Sequence, residues 1–151
     1  WNGTNWTEVN DLSLGRSSVG MSGANNTSAL VFGGGLSGAD STGVTELWNG
    51  TNWTEVNDLN SGRYNPAGVG YASTSCLACG GGNPAKALVE EWNGTNWTET
   101  TDLSTARRDA SGAGSMSSGI VMGGYTGTAN SGATEEWTGP GAAQTKTFTD
   151  S

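Results

Sequence analysis

Apolar residues in this chain come in short runs, each closed by glycines: SALVFGG at 28–34, STSCLACGG at 73–81 and SGIVMGG at 118–124. No window of eleven or more residues keeps apolar positions at i, i+3, i+4 and i+7, so the pattern predicts brief strands separated by tight turns rather than helices. A stretch of small residues precedes each run: SSVGMSG, YNPAGVGYA and RDASGAGS. A loop follows it, and then a third run, VTELW, LVEEW or ATEEW. A fourth, NWTEV or NWTET, is joined to the third run of the first two units through Asn-Gly.

The order recurs. WNGTNWTEVNDL starts at Trp1 and again at Trp48, and WNGTNWTETTDL starts at Trp92, with spacings of 47, 44 and 45 residues from Trp1 through Trp48 and Trp92 to Trp137. Such a period suits a unit of four short antiparallel strands, and repetition of that unit predicts an all-β fold of the β-propeller kind. Asn49-Gly50 favours a hairpin, and the four-residue loop NGTN sets Trp48 opposite Trp53. The pairs Trp1/Trp6, Trp48/Trp53 and Trp92/Trp97, with Trp137, are expected to form much of the core, since each indole buries about 150–250 Å². The chain divides into an orphan strand at 1–12, a blade at 13–56, a blade at 57–101, a partial blade at 102–137, and a C-terminal strand or tail at 138–151. Three blades are too few to close a ring.

A glycine doublet ending one strand, an aromatic residue about a dozen positions later, a Trp soon after and an Arg before the next unit resemble kelch repeats. Here they are Gly33-Gly34, Trp48, Trp53 and Arg63, then Gly80-Gly81, Trp92, Trp97 and Arg107. Trp replaces the usual Tyr, and the spacer between the aromatics is shortened to NGTN. The wording of the repeat is similar to arrays in predicted virion and tail proteins of marine tailed phages. The resemblance implies a non-enzymatic structural and recognition module, such as a virion or tail-fibre propeller that meets a host surface glycan or protein, hence a virion or extracellular location. The alternative is an intracellular, cytoplasmic kelch-type adaptor; a net charge of −8 weighs against it, because pockets for acidic segments gather Arg.

Arg16, Arg63 and Arg107 precede the first strand of each unit, and Glu46, Glu90 and Glu135 lie on the third, which predicts repeated ion pairs, between strands or between units, that fix each unit against the next. The glycine runs lack the Gly-Lys-Ser/Thr of a phosphate loop and read as sites of close backbone approach. Cys76 and Cys79 are three apart on one strand and so point to opposite faces, as free thiols rather than a disulfide or metal pair. The chain has no His, which removes His-based triads and His-ligated metals, including the copper centre of oxidases built on the kelch fold. Adjacent acids at Glu90-Glu91 and Glu135-Glu136 recur with the repeat as scaffold positions do, and neither a cofactor nor a metal is implied. Eight Asn-x-Ser/Thr sequons, six of them inside the turn motif, read as turn chemistry.

Between the second and third strands the loops 35–43, 82–88 and 125–132 vary while the frame is nearly constant, the layout of a recognition scaffold. Asp40, Lys86, Tyr125 and Asn130 are its candidate ligand-binding residues. Hydrophobic residues make up only 33% of the chain, yet seven Trp argue against disorder. An excess of 14 acidic over 6 basic residues disfavours nucleic acid or an anionic membrane as partner, and no apolar run reaches the 18 residues of a span. The first residue is Trp, so a processed N-terminus or a longer parent chain is expected. Two chains sharing strands in a six-bladed homodimeric ring, or one longer propeller, would remove the exposed edges.

Overall fold

A computed structural model describes residues 3–37 and 40–139 of the chain. Its strands form three antiparallel sheets in chain order. The first sheet holds β1 (Gly20–Asn25), β2 (Ser28–Phe32), β3 (Thr45–Trp48) and β4 (Trp53–Val56). The second holds β5 (Ala67–Ala72), β6 (Ser75–Cys79), β7 (Val89–Trp92) and β8 (Trp97–Glu99). The third holds β9 (Ser111–Ser115), β10 (Ser118–Met122) and β11 (Thr134–Trp137). Within each sheet the strands neighbour one another in sequence order, and the described residues contain no helix.

The hairpin joining β3 to β4 sets the register. Asn49 Oδ1 accepts hydrogen bonds from the backbone N–H of Thr51 and Asn52, both at 2.9 Å, and Asn93 does the same for Thr95 and Asn96. Gly50 takes φ of 94°, where a side chain would be strained; Asn49 does not, so its part in the turn is played by its amide oxygen. Trp48 then stands opposite Trp53, and Trp92 opposite Trp97. The rings meet at 5.2 and 5.3 Å between centroids, each pair tilted by 43°.

Alternation along β6 shows how the sheets stack. Cys76 and Ala78 face the first sheet, where they join Leu30, Phe32, Leu59, Trp92 and Trp97. Leu77 and Cys79 face the third, among Ala67, Val69, Val89 and Val121. Each β6 neighbour thus serves a different core, as the two-residue period demands. The indoles supply most of the bulk: at about 25 cal/mol per Å², burial of one such ring is worth roughly 4–6 kcal/mol before entropy is charged.

The first strands of the three sheets, β1, β5 and β9, lie side by side. A Cβ on Gly68 would sit 2.0 Å from the Met21 carbonyl oxygen, and one on Gly112 would sit 2.3 Å from that of Gly68. Backbone therefore meets backbone along this line, which is why the first strand of each unit is built of small residues. Farther out, Trp97 lies edge-on against Phe32 at 5.0 Å and its indole N–H donates to Thr45 Oγ1 at 3.1 Å.

Two expectations need correction. Trp6 belongs to the repeated pairs but is 84% exposed, and Trp53 is only half-buried: among the described residues, the sheet face that covers Trp97 in the second sheet has no counterpart in front of Trp53. Residues 6–9 repeat the Trp-Thr-Glu-Val of β4, yet they enter no ladder among the described residues. Trp1 and the segment from Pro140 onward lie outside the described residues.

Candidate ligand-binding cleft

Each repeated Arg is locked into its own sheet. Arg63 pairs with Glu90, and its guanidinium also donates to the carbonyls of Gly80, Ser61 and Ala78. Arg16 pairs with Glu46 at 2.5 Å, and Arg107 with Glu135. Burial alone would raise the Glu46 carboxyl, but hydrogen bonds from the Arg16 guanidinium and the Ser13 N–H hold it below its ordinary value. Arg63, Arg107, Glu46 and Glu90 are buried, so these groups are framework and unavailable to a ligand.

The next position reaches the surface. The backbone of Ser17 bridges to Gly35 and that of Arg108 to Tyr125, while the Gly82 N–H donates to the Tyr64 carbonyl at 2.7 Å. The three equivalent positions thus carry Ser17, Tyr64 and Arg108, set against Gly35, Gly82 and Tyr125. The residue after each is left-handed: Ser18, Asn65 and Asp109 have φ of 55°, 53° and 57°. Short polar side chains tolerate that conformation best.

Among the described residues, large side chains meet at this level only between the second and third sheets. The Arg108 guanidinium lies 5.2 Å from the Tyr125 ring centroid and 5.9 Å from that of Tyr64. It donates to the Tyr64 hydroxyl at 3.1 Å, and its Nε is 3.5 Å from Asp109 Oδ2. Asn65 donates its side-chain amide to Asp109 Oδ1. Tyr125 bridges onward to Asn130, and the Ser131 N–H closes the loop on the Gly124 carbonyl at 2.8 Å. Together Arg108, Asp109, Tyr125, Asn130 and Ser131 line an open cleft of about 580 Å³.

Tyr125 and Asn130 are brought together; Asp40 and Lys86 are not. Asp40 is exposed in the loop of the first sheet, where its carbonyl accepts from Leu36 N–H at 2.8 Å. Lys86 is half-buried and donates to Ser61 Oγ at 2.7 Å, which ties its loop to the second sheet. Arg108, Tyr64 and Asp109 were missed from sequence. The signal was present: the position after the repeated Arg changes from Ser to Tyr to Arg while the Arg itself does not.

The cleft offers a guanidinium held by aromatic faces, a carboxylate, an amide and a hydroxyl. This set donates and accepts hydrogen bonds and presents ring surface, but places no nucleophile beside a base. Among the described residues no group of three or more Cys, Asp or Glu is placed to hold a metal. The thiols of Cys76 and Cys79 are free and buried, and burial pushes both up to about 12.

No family model and no curated protein matches this chain. Among solved structures, that of YjhT superposes on it with a TM-score of 0.70 at 14% identity. The match covers 83% of this chain and 43% of YjhT, so the chain spans under half the length of that protein. A likeness at this identity concerns the arrangement of strands alone.

Proposed function

We propose that the three sheets are kelch-like propeller blades and that the chain is a non-enzymatic recognition module, a virion or tail-fibre component that meets a host surface glycan. The observation that carries this reading is the Arg108 cleft. A polar, open hollow bounded by a Tyr ring suits a hydroxyl-rich ring that stacks one face and spreads its hydroxyls over charged and amide groups. The repeat wording supports the virion setting. The buried Arg–Glu ties and indole pairs account for a rigid frame, and the loops 125–132 account for what that frame displays.

A glycan array probed with the intact chain tests the proposal. Binding to a defined set of glycans is expected, with at least a tenfold loss on Arg108→Ala and on Asn130→Ala and no change on Asp40→Ala. Retention of binding in both cleft variants would place the site elsewhere. Absence of any glycan binding, with capture of a cytosolic protein instead, would favour the intracellular adaptor.

A further inference from the structure

The junction between the first and second sheets can be set against that between the second and third place by place, because the sheets repeat one another. Leu47, one residue before Trp48, stands opposite Leu30 and packs into the core that the first sheet shares with the second. The same place is Glu91 in the second sheet and Glu136 in the third. Glu91 stands opposite Leu77, which belongs to the core shared with the third sheet. Opposite residues of an antiparallel pair share a face, so Glu91 turns toward the third sheet while its neighbour Glu90 turns away and is tied to Arg63. Glu91 is half-buried, and among the described residues its carboxylate has neither a hydrogen bond nor an ion pair. A charge thus stands where the first sheet packs a leucine, with no cation set against it.

Two further departures fall at the same junction. The residue after the last glycine of the first strand is Ala24 in the first sheet, Tyr71 in the second and Ser115 in the third, and Tyr71 is 64% exposed. At the first junction the hairpins are closed by Ser28 Oγ, 2.6 Å from Ser73 Oγ. At the second, Ser75 takes the place of Ser28 and Met116 that of Ser73; the carbonyls of Ser73 and Met116 accept from equivalent indoles, Trp92 and Trp137. Met116 offers no hydroxyl for Ser75 to meet. What opens there is a cleft of about 400 Å³ lined by Tyr71, Ser75, Glu91, Ser115, Met116 and Ser117. It lies at the far end of β5 and β9 from the Arg108 cleft, since Tyr64 and Arg108 precede these strands while Tyr71 and Ser115 lie where they finish.

We propose that this second cleft binds an alkylammonium group, of the kind carried by a lysine side chain or a free aliphatic amine. Glu91 supplies the opposite charge, partly withdrawn from water, and the Tyr71 ring offers its face to the cation. Met116 is an adaptable apolar wall for the methylene stem. An ammonium has three donors and no acceptor, which the hydroxyls of Ser75 and Ser117 answer; Ser115 Oγ already accepts from the N–H of Ser117 and Ser118. A metal ion fits less well, because one carboxylate and a few hydroxyls fall short of the about 6–8 oxygens that calcium takes. The net charge of −8 draws cations toward the chain as a whole. What the Arg108 cleft binds has no bearing on this site.

Amide NMR of the intact chain tests this, by titration with n-butylammonium chloride and, separately, with a short peptide holding one lysine and no other charge. Potassium chloride at matched ionic strength and n-butanol are the controls. Saturable shifts at residues 71, 91 and 115–117 are expected with both amines and with neither control, and none at residues 125–131. Tighter binding of the peptide would point to a protein's lysine as the source of the group, and equal binding to a free amine. Glu91→Gln is expected to weaken both at least tenfold, and Tyr71→Ala at least threefold. Glu91→Leu, which restores the residue of the first sheet, is expected to abolish binding while raising the urea midpoint, so that loss of binding is not loss of fold. Absence of saturable shifts with either amine would overturn the proposal. So would shifts that survive undiminished in Glu91→Gln or are matched by potassium chloride, and a lowered urea midpoint in Glu91→Leu, which would make the carboxylate part of the frame.

Discussion

Cys76 and Cys79 show what a single residue's position decides. Three apart on β6, they fall on opposite faces and enter different cores, one beside Trp92 and Trp97, the other beside Val69 and Val89. That separation was legible from spacing alone, because strand geometry leaves no choice. Burial outweighs the Ser22 hydrogen bond at Cys76 and the Arg63 charge at Cys79 and pushes both thiols up to about 12. At pH 8 the native chain is therefore expected to leave both unmodified by a thiol-specific reagent over hours, and to expose both on unfolding, as a colorimetric thiol count with and without denaturant would show. Rapid reaction of either in the native state would mean that the sheets part at that core. Arg108 is the opposite case. Its role depends on a bridge to Tyr125 and on Tyr64 from the neighbouring sheet, neither of which the local sequence around Arg108 announces.

At the level of elements, strand order and register were readable because each is set locally. The Asn-Gly hairpin fixes Trp48 opposite Trp53, and the glycine doublets end β2, β6 and β10 within a residue of where they stand in the sequence. The 84% exposure of Trp6 was not readable, since burial of an indole depends on a neighbouring sheet face and not on the local motif. The close line of β1, β5 and β9 yields a sharp prediction. Gly68→Ala drives a methyl into the Met21 carbonyl, a backbone group that cannot turn aside, so a loss of about 2–3 kcal/mol or more is expected, as for overpacked cores. Gly132→Ala has nothing within 4 Å to meet and serves as the control, expected within about 0.5 kcal/mol of the native chain. Urea unfolding of the two variants would decide it; equal stabilities would refute the tight inner line.

At the scale of the whole molecule, the inner line of small residues stops at Met21. It occupies the place that Gly68 holds in the second sheet and Gly112 in the third, where backbone meets backbone. Met21 is 64% exposed, whereas a Cβ on Gly112 would lie 2.3 Å from the Gly68 carbonyl oxygen. The same position therefore answers to substitution differently in the two sheets. Met21→Gly is expected to cost only about 0.5–1 kcal/mol, the backbone entropy of the added glycine. Gly112→Ala is expected to cost about 2–3 kcal/mol, since its methyl meets backbone that cannot turn aside. Urea unfolding of the two variants checks this asymmetry, and a larger loss from Met21→Gly would show that the Met21 side chain packs in the folded protein.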